Sequence, residues 1–207
     1  MNRVHAYGLP LRFKVMTVLG ALGVGLAYLL HYAAIALTVE IPWWLDTPAS
    51  VGFAGLLYQL LDRRFWHVRG IIDMLQVPDF RGSWAGSLKT SHDDFAEPHE
   101  VRLEIFQTWS RMLVTLENPK TKSRSHSLGG YVVDLGDGTF ELVYTFQNEP
   151  SRSGPSPLQI HKGTTVLRLS KDRQELEGDY YSGRERQTFG TLSLSRGDVT
   201  PLDQRVS

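Results

Sequence analysis

The sequence predicts a membrane-anchored all-β protein: an N-terminal transmembrane helical hairpin followed by a small antiparallel eight-stranded β-barrel. Three observations predict it. Between Lys14 and Glu40 there is no Asp, Glu, Lys or Arg over 25 residues. From Pro78 onward the apolar positions recur with period two, the spacing of half-buried strands. Turn signals punctuate that second region at short intervals, and no internal repeat or long helical pattern competes with them.

The charge-free run rises about 38 Å as a helix, enough to cross a bilayer core. A second apolar stretch, 47–61, is shorter and reaches spanning length only if 41–45 or Phe65 and Trp66 sit in the interface. Arg3, Arg12 and Lys14 precede the first span, Glu40 and Asp46 lie between the two, and Arg63, Arg64 and Arg69 follow the second. By the positive-inside rule both termini are cytoplasmic and the loop is outside, with Trp43 and Trp44 at the interfacial belt. Two competing readings exist. Ala34-Ile35-Ala36 offers a signal-peptidase pattern, but the apolar run exceeds a 7–15-residue signal core and a second apolar segment follows. A buried soluble hairpin is disfavoured by so long an uncharged run. Thr17, Ala21 and Gly25 recur every four residues, a spacing that lets helix backbones approach in lipid. They are candidates for self-association, against the reading that glycine is simply common in membrane helices. His31, inside the span, is either functional or bonded to a neighbouring helix.

Composition narrows the rest. Of 207 residues, 22 are basic and 22 acidic, which disfavours a DNA or RNA binder. The absence of Cys removes disulfides, thiolate nucleophiles and thiolate metal sites. Up to Leu61 the chain holds three basic and two acidic residues, so the 146 residues from 62 to 207 carry 19 and 20, enough polar sequence for one compact domain.

The order of elements follows. Residues 1–61 form the anchor. Residues 62–78 are an amphipathic connector with Phe65, Val68, Ile71, Ile72 and Leu75 at helical spacing, ended by Pro78. Residues 79–196 hold the barrel. Its expected strands are 81–89, 99–108, 111–117, 123–135, 139–147, 158–170, 175–182 and 187–195, with a hairpin signal at Gly136-Asp137-Gly138. Residues 197–207 are a polar tail. Trp84, in Gly-x-Trp, reads as a plug of the barrel base.

Catalytic patterns are missing: there is no H-E-x-x-H, no P-loop and no G-x-S-x-G, and the seven His residues show no metal-ligand spacing. Asp93 and Asp94 read as a solvated turn. The expectation is a binding protein, not an enzyme, with no metal and no cofactor. Tyr144, Phe146 and Asn148 alternate at one strand end, His161, Gly163 and Thr164 open another, and Tyr180 and Tyr181 lead into Arg184, Arg186 and Thr188. Aromatics stack bases, Arg grips phosphate, and Asn or Thr reads polar edges. The competing reading makes the aromatics barrel filling and Arg184-Glu185-Arg186 a solvated turn.

At Asp79-Phe80-Arg81-Gly82-Ser83-Trp84, Tyr144-Thr145-Phe146-Gln147-Asn148-Glu149-Pro150, His161-Lys162-Gly163-Thr164 and Gly178-Asp179-Tyr180-Tyr181-Ser182-Gly183-Arg184, the chain resembles a known family. These are the two-transmembrane β-barrel effectors associated with bacterial CD-NTase (cyclic oligonucleotide synthase) operons in CBASS antiphage defence, the SMODS-associated 2TM-β family. The resemblance covers nearly the whole chain. It implies that a cyclic oligonucleotide, here a cyclic dinucleotide from a cognate CD-NTase, binds the barrel as activating ligand. Binding would promote oligomerisation of the helices and disruption of the bacterial inner membrane, ending in abortive infection. It places Tyr144, Asn148, His161, Thr164, Tyr180, Arg184 and Thr188 on the ligand side. The implied partners are the nucleotide, the lipid bilayer and other copies of the chain. Two other readings stay open: a calycin-type barrel for a lipophilic ligand, favoured by an apolar interior without convergent Arg, and a membrane assembly factor with a solidly filled barrel.

Overall fold

A computed structural model of the chain describes residues 5–6, 9–40, 42–68, 70–75, 77–149, 160–184 and 187–197. The polar tail from 198, the Pro/Ser/Gly loop 150–159, and Arg3, Arg69, Glu185 and Arg186 lie outside these residues. The chain divides into two compact units: Tyr7–Val77 is one, and Met1–Ala6 with Pro78–Ser207 is the other.

In the helical unit, α1 (Leu9–Ala36) is 28 residues long. Its stretch Leu11–Ala36 is long and apolar enough to cross a membrane. Buried residues fall at Val15, Leu19, Ala27 and Ala34, a four-residue rhythm that puts one stripe of α1 against α2 (Asp46–Leu60). Gly23 completes that stripe because only glycine fits there: a Cβ would stand 2.6 Å from the Ser50 carbonyl oxygen and 2.8 Å from the Ala54 nitrogen. A 3₁₀ turn (Trp43–Leu45) precedes α2, and a π turn (Leu61–Phe65) extends it. Alone, the 15 residues of α2 rise about 22 Å, short of a bilayer core of about 30 Å. Of the two expected spans, one therefore reaches spanning length as a regular helix. His31 Nδ1 lies 3.1 Å from Asp46 Oδ1, so the histidine of the apolar run is bonded to the neighbouring helix. Among the described residues of the connector, α3 (Ile71–Leu75) is the regular α-helix.

The second unit is a closed barrel. Its strands are β2 (Gly82–Thr90), β3 (His99–Gln107), β4 (Met112–Glu117), β5 (Arg124–Asp134), β6 (Phe140–Glu149), β7 (His161–Leu169), β8 (Glu175–Ser182) and β9 (Phe189–Arg196). Each pairs antiparallel with its chain neighbour, and β9 returns to β2, so all eight barrel strands are paired on both sides. Closure leaves no exposed edge for pairing with other chains. A short β1 (His5–Ala6) adds to the outer half of β5 in parallel. The strands alternate buried and exposed residues, as in β3, where Val101, Leu103 and Ile105 point inward.

One end is sealed by the Asp79–Trp84 segment. Trp84 is fully buried and its Nε1 donates to the Phe80 carbonyl at 3.0 Å. The Arg196 guanidinium lies 4.4 Å above the Trp84 ring and donates to the carbonyls of Arg81 (2.7 Å), Asp79 (3.2 Å) and Arg173 (3.1 Å). Burial pushes the Asp79 carboxyl up, but hydrogen bonds and charge from Arg81, with the Arg196 charge, outweigh it and leave Asp79 below the usual carboxylate range. Gly82 has φ +118°, a conformation that side chains other than glycine resist. The short motif thus closes a barrel end, and Trp84 is its plug. Above it, Leu103, Leu142, Leu167, Leu176 and Leu194 form a buried apolar layer.

Candidate functional site

Opposite the Trp84 plug, the barrel opens into a cavity of about 270 Å³. Strand alternation builds it. Tyr144, Phe146 and Asn148 face inward from β6, His161 and Thr165 from β7, Tyr180 and Ser182 from β8, and Thr188 stands at the start of β9. Leu88, Val101, Val114 and Leu192 make an apolar floor. Nine lining residues carry hydroxyls, two are Asn and three are His, so polar groups ring an apolar base.

Glycines make room for the aromatics. Gly130, Gly163 and Gly190 are the cross-strand partners of Tyr144, Phe146 and Tyr180. A Cβ on Gly163 would stand 2.5 Å from the Phe146 ring, and one on Gly190 would stand 2.6 Å from the Tyr180 ring. The Phe146 and Tyr180 rings therefore lie over bare backbone. Hydrogen bonds then set the polar groups: Tyr180 Oη donates to Thr90 Oγ1 at 2.6 Å, Ser125 Oγ donates to Asn148 Oδ1 at 3.2 Å, and Thr188 Oγ1 donates to Ser182 Oγ at 3.0 Å. The Phe146 ring meets His161 edge-on at 6.2 Å. Asp93 Oδ2 holds His99 Nε2 at 2.8 Å.

Tyr144 is buried, and burial pushes its phenol up to about 12 despite a hydrogen bond with Thr165 that acts the other way. The neutral hydroxyl is thus kept at any physiological pH. Because the folded pKa is raised, the stability it protects is complete below the unfolded value near 10 and is lost as pH rises from 10 to 12. The loss is expected to be about 2–3 kcal/mol. Urea unfolding at pH 9 and pH 12 should show that excess alkaline loss in the wild type and not in Tyr144→Phe.

Five of the seven residues singled out in the sequence line this cavity: Tyr144, Asn148, His161, Tyr180 and Thr188. Thr164 and Arg184 do not. Thr164 follows Gly163 on β7, so period two turns it outward and brings Thr165 inward instead. Arg184 is exposed in the turn after β8. None of the described lining residues is Lys or Arg, which departs from the expected cationic pocket. His92 and His99, which have no role in the sequence reading, also line the cavity. The strand glycines were the available signal for the aromatic slots.

A closed barrel with an apolar-floored, polar-rimmed cavity in one mouth defines a small-ligand receptor. Residues 75–196 match the family described as "Cap15, cyclic dinucleotide receptor domain". The chain belongs to that family, and with it to the CBASS effectors that its motifs resemble. It is 28% identical over 184 residues to CD-NTase-associated protein 15 of Yersinia aleksiciae, covering 82% of this chain and 86% of the relative. It is 24% identical over 127 residues to CD-NTase-associated protein 15 of Escherichia albertii, covering 58% of this chain and 62% of that one.

Proposed function

We propose that the barrel binds a cyclic dinucleotide made by a cognate CD-NTase, and that binding drives self-association of the helices and disrupts the bacterial inner membrane. The protein acts as a sensor and effector, not as an enzyme. The observation that carries this reading is the cavity: aromatic rings over glycine slots, rimmed by hydroxyls, amides and imidazoles. Such a lining suits planar bases with polar edges. On the ligand side stand Tyr144, Asn148, His161, Tyr180 and Thr188, with Thr165 in the place of Thr164.

A second reading has one observation in its favour. The lack of Lys and Arg among the described lining residues is what a calycin-type barrel for a lipophilic ligand would have. The polar rim argues against it, because a lipid tail would leave those groups desolvated and unpaired.

For the output, the ligand must favour the assembled state, or it switches nothing. The face of α1 bearing Thr17, Ala21 and Gly25 is exposed and turned away from the Gly23 stripe. Thr17 Oγ1 donates to the Phe13 carbonyl within its own turn, and nothing lies within 4 Å of a Cβ built on Gly25. This face is the proposed contact between copies. The hairpin is proposed to lie in the inner membrane with both termini and the barrel cytoplasmic. The full chain in dye-loaded vesicles should release dye when the nucleotide is added. Gly25→Leu is expected to bind the ligand as before and to release little dye; wild-type leakage from that variant would remove this helix face from the mechanism.

A further inference from the structure

The cavity poses a charge problem that composition could not reveal. A cyclic dinucleotide, the ligand class on which this inference rests, brings two phosphodiester anions. Burying an anion without compensation is costly. Among the described residues that line the cavity there is no Lys, Arg, Asp or Glu. The groups there able to become cationic are three imidazoles: His161 on β7, His99 on β3, and His92 in the 3₁₀ turn Ser91–Asp93.

Their settings differ. His161 is buried, against Phe146 and opposite Asn148 in register. His99 is backed by Asp93, whose second oxygen, Oδ1, is buried and finds no partner among the described residues. That carboxylate fixes the orientation of the ring. His92 is exposed at the mouth. The other ionisable groups nearby are placed elsewhere. Tyr144 shares a hydrogen bond with Thr165, and the Tyr180 hydroxyl donates to Thr90. Glu149 lies 3.6 Å from His126, outside the lining. Lys162 and Arg184 are exposed.

We propose that His161, His99 and His92 receive the ligand's phosphates as imidazolium ions, so that binding draws protons from solvent and tightens as pH falls. Histidine is the side chain whose charge changes between about pH 5 and 8, so the linkage falls inside the range a bacterial cytoplasm can reach.

The test is calorimetry on the full chain in detergent with cyclic di-AMP, cyclic di-GMP and cyclic di-UMP. Each is titrated at pH 6, 7 and 8, in buffers of differing ionisation heat. Expected is net proton uptake at pH 7 and an affinity at least about tenfold tighter at pH 6 than at pH 8 for the member that binds. His161→Gln should lower the pH 6 affinity and flatten the profile. His99→Gln should do so in part, which covers the case that the first variant fails to fold. His126→Gln, outside the cavity, should keep the wild-type profile. Binding with no proton uptake and no pH dependence overturns the inference while leaving the sensor reading in place. So does a wild-type profile in both cavity variants. Silence of all three nucleotides at every pH overturns the ligand class and the imidazole role together.

Discussion

Trp84→Ala is expected to lower the unfolding free energy by about 3–5 kcal/mol, the scale for emptying a large aromatic from a packed core. The residue is fully buried, and three things depend on it. Its indole N–H satisfies the Phe80 carbonyl at 3.0 Å. Its ring carries the Arg196 guanidinium at 4.4 Å. Arg196 in turn binds the carbonyls of Asp79 and Arg81, which fixes the segment ahead of β2, and the carbonyl of Arg173 in the turn between β7 and β8. Removing the ring leaves a void in contact with a partly buried cation, so relaxation around it is limited. Loss of the far-ultraviolet β-sheet signal on heating, with the full chain in detergent, measures the effect. Trp84→Phe should recover part of the packing and none of the hydrogen bond. A drop below about 1 kcal/mol for Trp84→Ala would mean that the barrel end is closed by other contacts.

Gly190→Ala is expected to weaken ligand recognition while replacing no polar side chain. A Cβ at 190 would overlap the Lys89 carbonyl oxygen and lie 2.6 Å from Tyr180 Cε1. The backbone of β2 cannot yield as a side-chain end would, so β9 must move outward and the Tyr180 ring must leave its slot. That movement breaks the bond from Tyr180 to Thr90. Overpacking of this kind costs about 1–3 kcal/mol of stability. Affinity is expected to fall at least tenfold, because Tyr180 and Thr90 both line the cavity. Gly129→Ala, where nothing stands within 4 Å, serves as the control and should bind normally. Equal affinity in the two variants would detach Tyr180 from the ligand.

The architecture was legible because each element carries a strong periodic signal. A helix in lipid needs an unbroken apolar run, and the run from Val15 to Val39 supplies one. A closed barrel needs one buried face per strand, and that gives the alternation at Val101, Leu103 and Ile105. Trp84 as plug followed from a single Trp held between glycines at a strand start. The site was legible only in part. His161 and Thr164 stand three apart, so a regular strand puts them on opposite faces, and Thr165 takes the inward place. Arg184 looked like the phosphate grip because turn residues give no direction from sequence. His92 and His99 lie seven apart around a turn and converge only once β2, β3 and β4 have closed. The pairing of His99 with Asp93 likewise depends on the left-handed conformation of Asp94 and Phe95, which bends the chain back. The spacing of α2 was short of a span, and its extension by a π turn is a tertiary outcome that no periodicity encodes.

The central claim is that this cavity receives a cyclic dinucleotide. The most direct measurement titrates the full chain in detergent with a panel of cyclic dinucleotides, reading heat and melting temperature together. The account expects saturable binding of at least one member and a melting temperature that rises with its concentration, since a ligand that binds only the folded state stabilises it. No heat and no shift from any member, with a fluorescent fatty acid binding instead, would contradict it and hand the barrel to the lipophilic reading.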